Sequence, residues 1–121
     1  MKIMTKHYFT KSFYLLAPLF ALSAWLANPA LARPLGVFQL TVHNGRFTPT
    51  KIIVPAGQKF KLLVKNTGAV PEEFESVELN RERVVAQGQT ITIYLGPLDA
   101  GNYSFVGDFH PATAKGTIIA K

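Results

Sequence analysis

The chain has 121 residues, a formal net charge of +6 and no cysteine. Without cysteine it can form neither a disulfide nor a cysteine-ligated zinc or iron–sulfur centre, and it has no thiol nucleophile. Leaving out Lys2, Lys6 and Lys11 lowers the net charge from +6 to +3, and because the other cations form no block of like charges, we expect no nucleic-acid binding.

The first 32 residues have the three parts of a secretory signal peptide. Three lysines precede an apolar run from Leu15 to Ala27, and Ala30-Leu31-Ala32 follows as a small-residue cleavage site. The apolar run has about 13 residues, fewer than the ~20 that a membrane-spanning helix requires. We therefore predict a periplasmic protein with a signal peptide at 1–32, one mature domain at 33–121 and no transmembrane segment in that domain. Retention of the apolar run as an N-terminal anchor is the alternative.

The rest of the chain alternates apolar and polar residues as β-strands do. Phe38, Leu40 and Val42 share one face of the first predicted strand, and Asn44-Gly45 follows as a turn. Further runs of this kind lie at residues 51–54, 58–65 and 90–95, with a strand, a loop and a strand over 101–119. No ten-residue window of the mature chain has a helical period. Short strands at this spacing predict an all-β fold, an antiparallel sandwich or barrel.

Most of the acidic residues lie in one stretch, with five of the seven between residues 72 and 82. In an extended strand Glu73 and Glu75 share one face, and Phe74 lies on the other. Because Phe74 is expected to point inward, the two glutamates point elsewhere, toward the surface or a sandwich end. One interpretation is a solvated acidic strand balanced by the arginines of Arg81-Glu82-Arg83, which we predict to be a solvated connection. The other is a pair of carboxylates held around a cation.

The closing part of the chain carries two more potential ligands. Gly101-Asn102-Tyr103 fits a tyrosine corner, in which the hydroxyl group caps the backbone just upstream. Asp108 and His110 then follow on a loop, where a rigid scaffold can hold them out toward solvent. A histidine before proline is also a common hydrogen-bonding cap, so a structural role for His110 stays open. His43, beside the Asn-Gly turn, is predicted to be a turn residue.

The order of these signals resembles the cupredoxin fold, a Greek-key β-sandwich. The segments that carry the resemblance are Phe47-Thr48-Pro49, Pro55-Ala56-Gly57, Asn66-Thr67-Gly68 with Pro71, and Pro97 to Phe105. The resemblance implies that His110 stands at the second histidine ligand, Gly107 at the thiolate, Glu72 or Glu73 at the first histidine, and the axial position near Lys115. A type 1 blue-copper site needs a cysteine thiolate. A chain without cysteine cannot form one.

A narrower resemblance is to the cupredoxin-like proteins of bacterial ferrous-iron uptake, the cupredoxin domain of the EfeO type and its stand-alone relatives. It rests on Glu73-Phe74-Glu75 together with Asp108-Phe109-His110-Pro111. The resemblance implies that Glu73, Glu75, His110 and Asp108 are ligands of a copper or iron ion, with iron-uptake components as partners. Carboxylates and one imidazole suit iron or Cu(II) better than Cu(I). Asp108 is alternatively an acceptor that orients the His110 ring.

The resulting prediction is a periplasmic metal-binding accessory of ferrous-iron uptake. A small ferroxidase is one alternative, but it would need a redox partner or a second metal. A metal-free interaction module that docks on another exported protein is the other. The sequence has no Ser/His/Asp arrangement and no phosphate-binding loop, so a hydrolase has no support.

Overall fold

The computed structural model of the chain describes residues 32–121, and the predicted signal peptide lies outside these residues apart from Ala32. Nine strands and no helix occur in this part of the chain: β1 (Gly36–His43), β2 (Arg46–Thr48), β3 (Lys51–Val54), β4 (Phe60–Asn66), β5 (Glu72–Ser76), β6 (Arg81–Val85), β7 (Thr90–Leu95), β8 (Gly101–Gly107) and β9 (Lys115–Ala120). Among residues 32–121 there is accordingly no helix that is long and apolar enough to cross a membrane.

The strands form two sheets that pack face to face, so the predicted β-sandwich is confirmed. The first sheet has the order β2-β1-β4-β7 and the second the order β3-β9-β8-β5-β6. The chain passes between the sheets after β2, β3, β4, β6 and β7, as a Greek-key fold requires. The antiparallel arrangement we expected is incomplete, because β1 pairs with β4, and β3 with β9, in parallel. Each parallel pair is joined through the opposite sheet, which provides the long connection that parallel strands need.

The core is built from alternate residues of each strand. In β4, Phe60, Leu62 and Val64 are fully buried, while the residues of the other strand face are half-buried (Lys61, Leu63) or exposed (Lys65). Phe47, Phe74 and Phe105 form an aromatic cluster across the two sheets, with ring centroids 5.2 to 6.3 Å apart. Every buried apolar residue of the described chain lies between residues 40 and 120. Residues 32–121 thus contain a complete core of their own and are expected to fold as an independent domain.

The predicted connection Arg81-Glu82-Arg83 is solvated as expected, but it is part of an edge strand, β6, and not a loop. This strand pairs antiparallel with β5 over its whole length. Four of its five residues are exposed, which is why the sequence looks like a surface loop, but Val85 is completely buried. A charged edge strand is a common way to prevent edge-to-edge aggregation.

The predicted tyrosine corner is confirmed, because the Tyr103 hydroxyl donates a hydrogen bond to the carbonyl oxygen of Asp99 at 2.9 Å. We expect Tyr103→Phe to lower the free energy of unfolding by about 1 kcal/mol, since the substitution removes only this bond. Urea unfolding measures the change. Tyr94→Phe is the control, because the Tyr94 ring is exposed and should not depend on its hydroxyl group. Equal losses in the two variants would contradict the assignment.

Candidate metal site

The acidic strand β5 alternates between the interior and the outer face of its sheet. Glu72, Phe74 and Ser76 are buried, whereas Glu73 and Glu75 are half-buried and point outward. This is the alternation that the sequence predicted. It separates the three glutamates of β5 into one inner carboxylate and two outer ones.

Four carboxyl groups gather on the outer face of the second sheet, and we call them the carboxylate cluster: Glu73, Glu75, Glu82 and Asp108. Glu75 on β5 lies directly opposite Glu82 on β6. The Asp108 backbone N–H donates to the Glu73 carbonyl at 2.9 Å, which fixes the end of β8 against β5. Among the side chains, Glu73 lies close enough to Glu82, and Glu75 to Asp108, for the two carboxyl groups of each pair to share a proton.

Hydrogen bonding, partial burial and nearby like charges raise the pKa of both outer glutamates of β5. For Glu73 the largest cause is the hydrogen bond with Glu82, followed by partial burial and by the charges of Glu82, Asp108 and Glu75. For Glu75 partial burial comes first, then the charges of Asp108 and Glu82 and the hydrogen bond with Asp108. A hydrogen bond between two carboxyl groups requires that one of them carry a proton. Glu73 and Glu75 therefore hold protons more tightly than isolated carboxylates do.

Among residues 32–121 no lysine or arginine forms an ion pair with this cluster, contrary to the interpretation of β5 as an acidic strand balanced by Arg81 and Arg83. The Arg81 guanidinium donates to backbone carbonyl oxygens of Leu79, Asn80 and Tyr94. Arg83 lies opposite Phe74 in the register, and hence on the other face from the cluster. Within residues 32–121 the contact between His110 and Glu72 is the only one shorter than 4 Å between a basic and an acidic side chain. Like charges that face each other across strands destabilise a sheet. A bound cation would offset that cost.

The raised pKa values predict an unusual pH dependence for the metal-free domain. Above the ordinary value of 4.5, Glu73 and Glu75 bind more protons in the folded than in the unfolded state, so their contribution to stability falls as the pH rises. We expect Glu75→Gln to raise the melting temperature at neutral pH, with a smaller gain near pH 4.5, when a chelator is present. Calorimetry measures both. Glu78→Gln, outside the cluster, should follow the wild type, and an unchanged or lower melting temperature for Glu75→Gln at neutral pH would contradict the prediction.

His110 lies apart from the cluster and pairs with the inner carboxylate. Its Nδ1 atom is 2.5 Å from Glu72 Oε2, and the Glu72 side chain is only 2% exposed. The other oxygen, Oε1, accepts hydrogen bonds from the backbone N–H groups of Glu73 and Phe109, both at 3.0 Å. The sequence left open whether Glu72 or Glu73 faces the site in place of the first histidine ligand. In the structure Glu72 is the glutamate that contacts His110.

The space beside Gly107 is filled by the Glu72 side chain. A Cβ atom at Gly107 would lie 2.7 Å from Glu72 Cδ and 2.6 Å from the Cβ of Ala114. His110 packs in the same way over Gly45, where a Cβ atom would lie 2.8 Å from the imidazole Cγ. The loop from 108 to 114 is thus held on one side by the Glu72 carboxylate and on the other by the turn after β1.

This arrangement of strands and loops agrees with the comparison to known proteins. Residues 15–120 match the sequence profile of the cupredoxin-like domain. The chain belongs to this family. Among curated proteins, an uncharacterized protein of Rickettsia prowazekii (strain Madrid E), RP394, is 41% identical over 81 residues. The alignment covers 67% of this chain and 65% of RP394, so the chain spans slightly less than two thirds of that relative.

Solved cupredoxin structures show the same fold at low sequence identity. The purple cupredoxin of Nitrosopumilus maritimus superposes with a TM-score of 0.54 at 18% identity, over 69% of this chain and 99% of its own. The metal-binding domain of the Streptococcus pneumoniae D39 Cu(I)-exporting P-type ATPase CopA, solved with Cu(I), superposes with a TM-score of 0.62 at 14% identity, over 76% of this chain and 91% of its own.

The predicted ligands of this cupredoxin-like domain are distributed over two places. Glu73, Glu75 and Asp108 lie together in the carboxylate cluster, and His110 lies with Glu72. Glu82 was not predicted as a member of the cluster, because its segment was not recognised as a strand. In the described part of the chain, no three His, Asp or Glu side chains are already arranged as the ligands of a metal ion. Binding of a metal ion at the carboxylate cluster would therefore require its side chains to rotate toward the ion.

His43 is held by structural contacts, in line with its prediction as a turn residue. Its Nδ1 atom lies 3.1 Å from both the carbonyl oxygen and the hydroxyl oxygen of Thr67. The Asn44 side-chain amide lies 3.3 Å from His43 Nε2. These contacts tie the turn after β1 to the loop after β4.

Proposed function

We propose that this cupredoxin-like domain is a periplasmic accessory protein of ferrous-iron uptake, which binds iron or Cu(II) at the carboxylate cluster and has no type 1 copper site. The observation that carries the proposal is a group of four carboxyl groups that face one another, none of which forms an ion pair with a lysine or arginine of residues 32–121. Their mutual repulsion costs stability in the metal-free domain and is relieved when a cation binds.

The chemistry of the donors favours hard and borderline cations. Carboxylate oxygens suit Fe(III), Fe(II) and Cu(II), and they are poor ligands for Cu(I), which prefers thiolate and thioether. The proposed ligands are Glu73, Glu75 and Asp108, with Glu82 as a fourth donor. All four must lose their protons to bind, so affinity falls at acid pH. A site at the surface leaves coordination positions open to water and to a partner, which suits a protein that takes up an ion and passes it on.

His110 has a different part in this proposal from the one that the family resemblance implies. Its Nδ1 atom contacts Glu72, on the opposite side of β5 from the outer glutamates. We propose that the histidine holds the loop after β8 in place, and that it thereby positions Asp108 at its N-terminal end. The cluster then binds metal through oxygen atoms alone.

Metal titration of residues 33–121 tests the proposal. Cu(II) is titrated by calorimetry, Fe(II) under anaerobic conditions, and Fe(III) by competition with a chelator. Binding of one of these ions in a one-to-one ratio at micromolar protein concentrations, weakened as the pH falls, is the expected result. If none of the three ions binds under these conditions, the metal-binding function is wrong.

A metal-free interaction module is the second candidate, and one observation favours it. Phe109 is 47% exposed although it lies on a loop that hydrogen bonds to Glu72 hold in place. A rigid loop with an exposed aromatic ring is a suitable anchor for a protein partner. The titration separates the candidates, since an interaction module without metal would show no binding of any of these ions.

A further inference from the structure

The outer face of the first sheet is basic, in contrast to the carboxylate cluster on the other side of the sandwich. Its strands β1, β2, β4 and β7 contain no Asp or Glu. Lys61 and Lys65 point outward between the buried residues of β4, and Arg46 lies beside the buried Phe47 of β2. Lys59 is exposed just before β4. We call this surface the basic face.

Apolar and aromatic side chains lie among these cations. Lys61 has Val37 beside it on β1 and Tyr94 beside it on β7 in the strand register. Val37 is 54% exposed and Tyr94 59% exposed. The Lys61 ammonium group lies 5.6 Å from the centre of the Tyr94 ring. In this row of side chains the lysine can bind lipid phosphates, and the tyrosine ring can insert into the headgroup region of a bilayer.

We propose that the basic face docks on the surface of an anionic phospholipid bilayer. Charge complementarity supports this partner, since the outward cations of the face have no carboxylate among them to pair with. The exposed side chains of Val37 and Tyr94 add apolar surface on the same sheet face as these cations. Docking by this face turns the carboxylate cluster away from the lipid.

The membrane contact does not depend on metal binding. The carboxylate cluster lies on the second sheet, and none of its residues belongs to the first. Loss of one function is therefore expected to leave the other intact. The two proposals can fail separately.

Vesicle binding of residues 33–121 tests the proposal. The domain is expected to co-sediment with vesicles of phosphatidylglycerol and phosphatidylethanolamine, but not with phosphatidylcholine vesicles, and salt should weaken the binding. Lys61→Gln/Lys65→Gln should weaken it about 25-fold, since each lysine near an anionic surface contributes about fivefold. Lys51→Gln/Lys115→Gln changes the net charge equally but lies on the second sheet, so it should retain most of the binding. Circular dichroism confirms that each variant is folded.

The absence of native cysteine allows the orientation to be measured directly. An environment-sensitive fluorophore is attached at Gln39→Cys on the basic face, and separately at Asn102→Cys on the second sheet. A blue shift with anionic vesicles is expected only for the label at 39. No vesicle binding, equal losses in the two lysine double variants, or equal shifts at both labels would overturn the proposal. So would salt-sensitive binding to an acidic protein in place of the vesicles.

Discussion

Glu73→Gln/Glu75→Gln is expected to bind iron and Cu(II) at least about 100-fold more weakly than the wild type. The substitution removes two of the four anionic ligands while it keeps the size of both side chains. Loss of a residue that only orients a metal ligand already lowers metal affinity about 10–100-fold. Because the amides also end the repulsion with Glu82 and Asp108, the metal-free variant should be at least as stable as the wild type. Loss of affinity without loss of stability is the signature of ligand removal.

The matched control changes the net charge by the same amount elsewhere. Glu78 hydrogen-bonds to the Ser104 hydroxyl, and Asp99 lies in the loop before β8. Neither contributes to the raised pKa values of the cluster. Glu78→Gln/Asp99→Asn should therefore bind metal almost as the wild type does. Equal losses in the two double variants would mean that the general negative potential attracts the ion without a defined site.

His110→Ala distinguishes the two places at which the predicted ligands lie. If the carboxylate cluster is the site, this variant retains binding, with a moderate loss from the loosened loop. If instead His110→Ala abolishes binding while Glu73→Gln/Glu75→Gln leaves it intact, the ion binds between Glu72 and His110. That outcome would contradict the proposed ligands but would keep a metal-binding function for the domain.

The alternation of the strands was predictable because it is a local property of the chain. Phe38, Leu40 and Val42 show the period of two within a few residues, and the tyrosine corner needs only a short segment. The same parity placed Glu73 and Glu75 on the outer face of β5. These predictions are correct because burial of one strand face decides them, whatever the rest of the fold is.

What lies opposite a given side chain was not predictable, because it depends on distant segments. The alternation of the strand places Glu72 on the inner face, but no feature of the nearby sequence shows that His110 contacts it there. Glu82 joins the cluster only through the β5–β6 register. That strand was not predicted because residues 81–83 are all charged and do not alternate with apolar residues. The family resemblance gave the right loop for Asp108 and His110. It did not show that their side chains contact different carboxylates, Glu75 and Glu72.

Gly107→Ala is expected to lower the free energy of unfolding by about 1–3 kcal/mol, the usual cost of overpacking a filled core. The new methyl group would lie 2.6 Å from the Cβ of Ala114 and 2.7 Å from Glu72 Cδ, and neither atom can move far. Gly101→Ala is a control on the same strand, since a Cβ atom there meets nothing closer than 3.9 Å. It should leave stability nearly unchanged. Urea unfolding of both variants measures the difference.

Removal of one contact should recover part of the loss. Ala114→Gly in the Gly107→Ala background takes away the closest methyl group. The double variant should therefore lose less free energy of unfolding than the two single variants lose together. Additive effects, or a Gly107→Ala domain as stable as Gly101→Ala, would show that the space is not filled as described. The expected coupling has a chemical consequence. The Glu72 side chain occupies the space that a side chain at position 107 would need. Gly107→Cys alone should therefore not create a thiolate copper site while Glu72 remains.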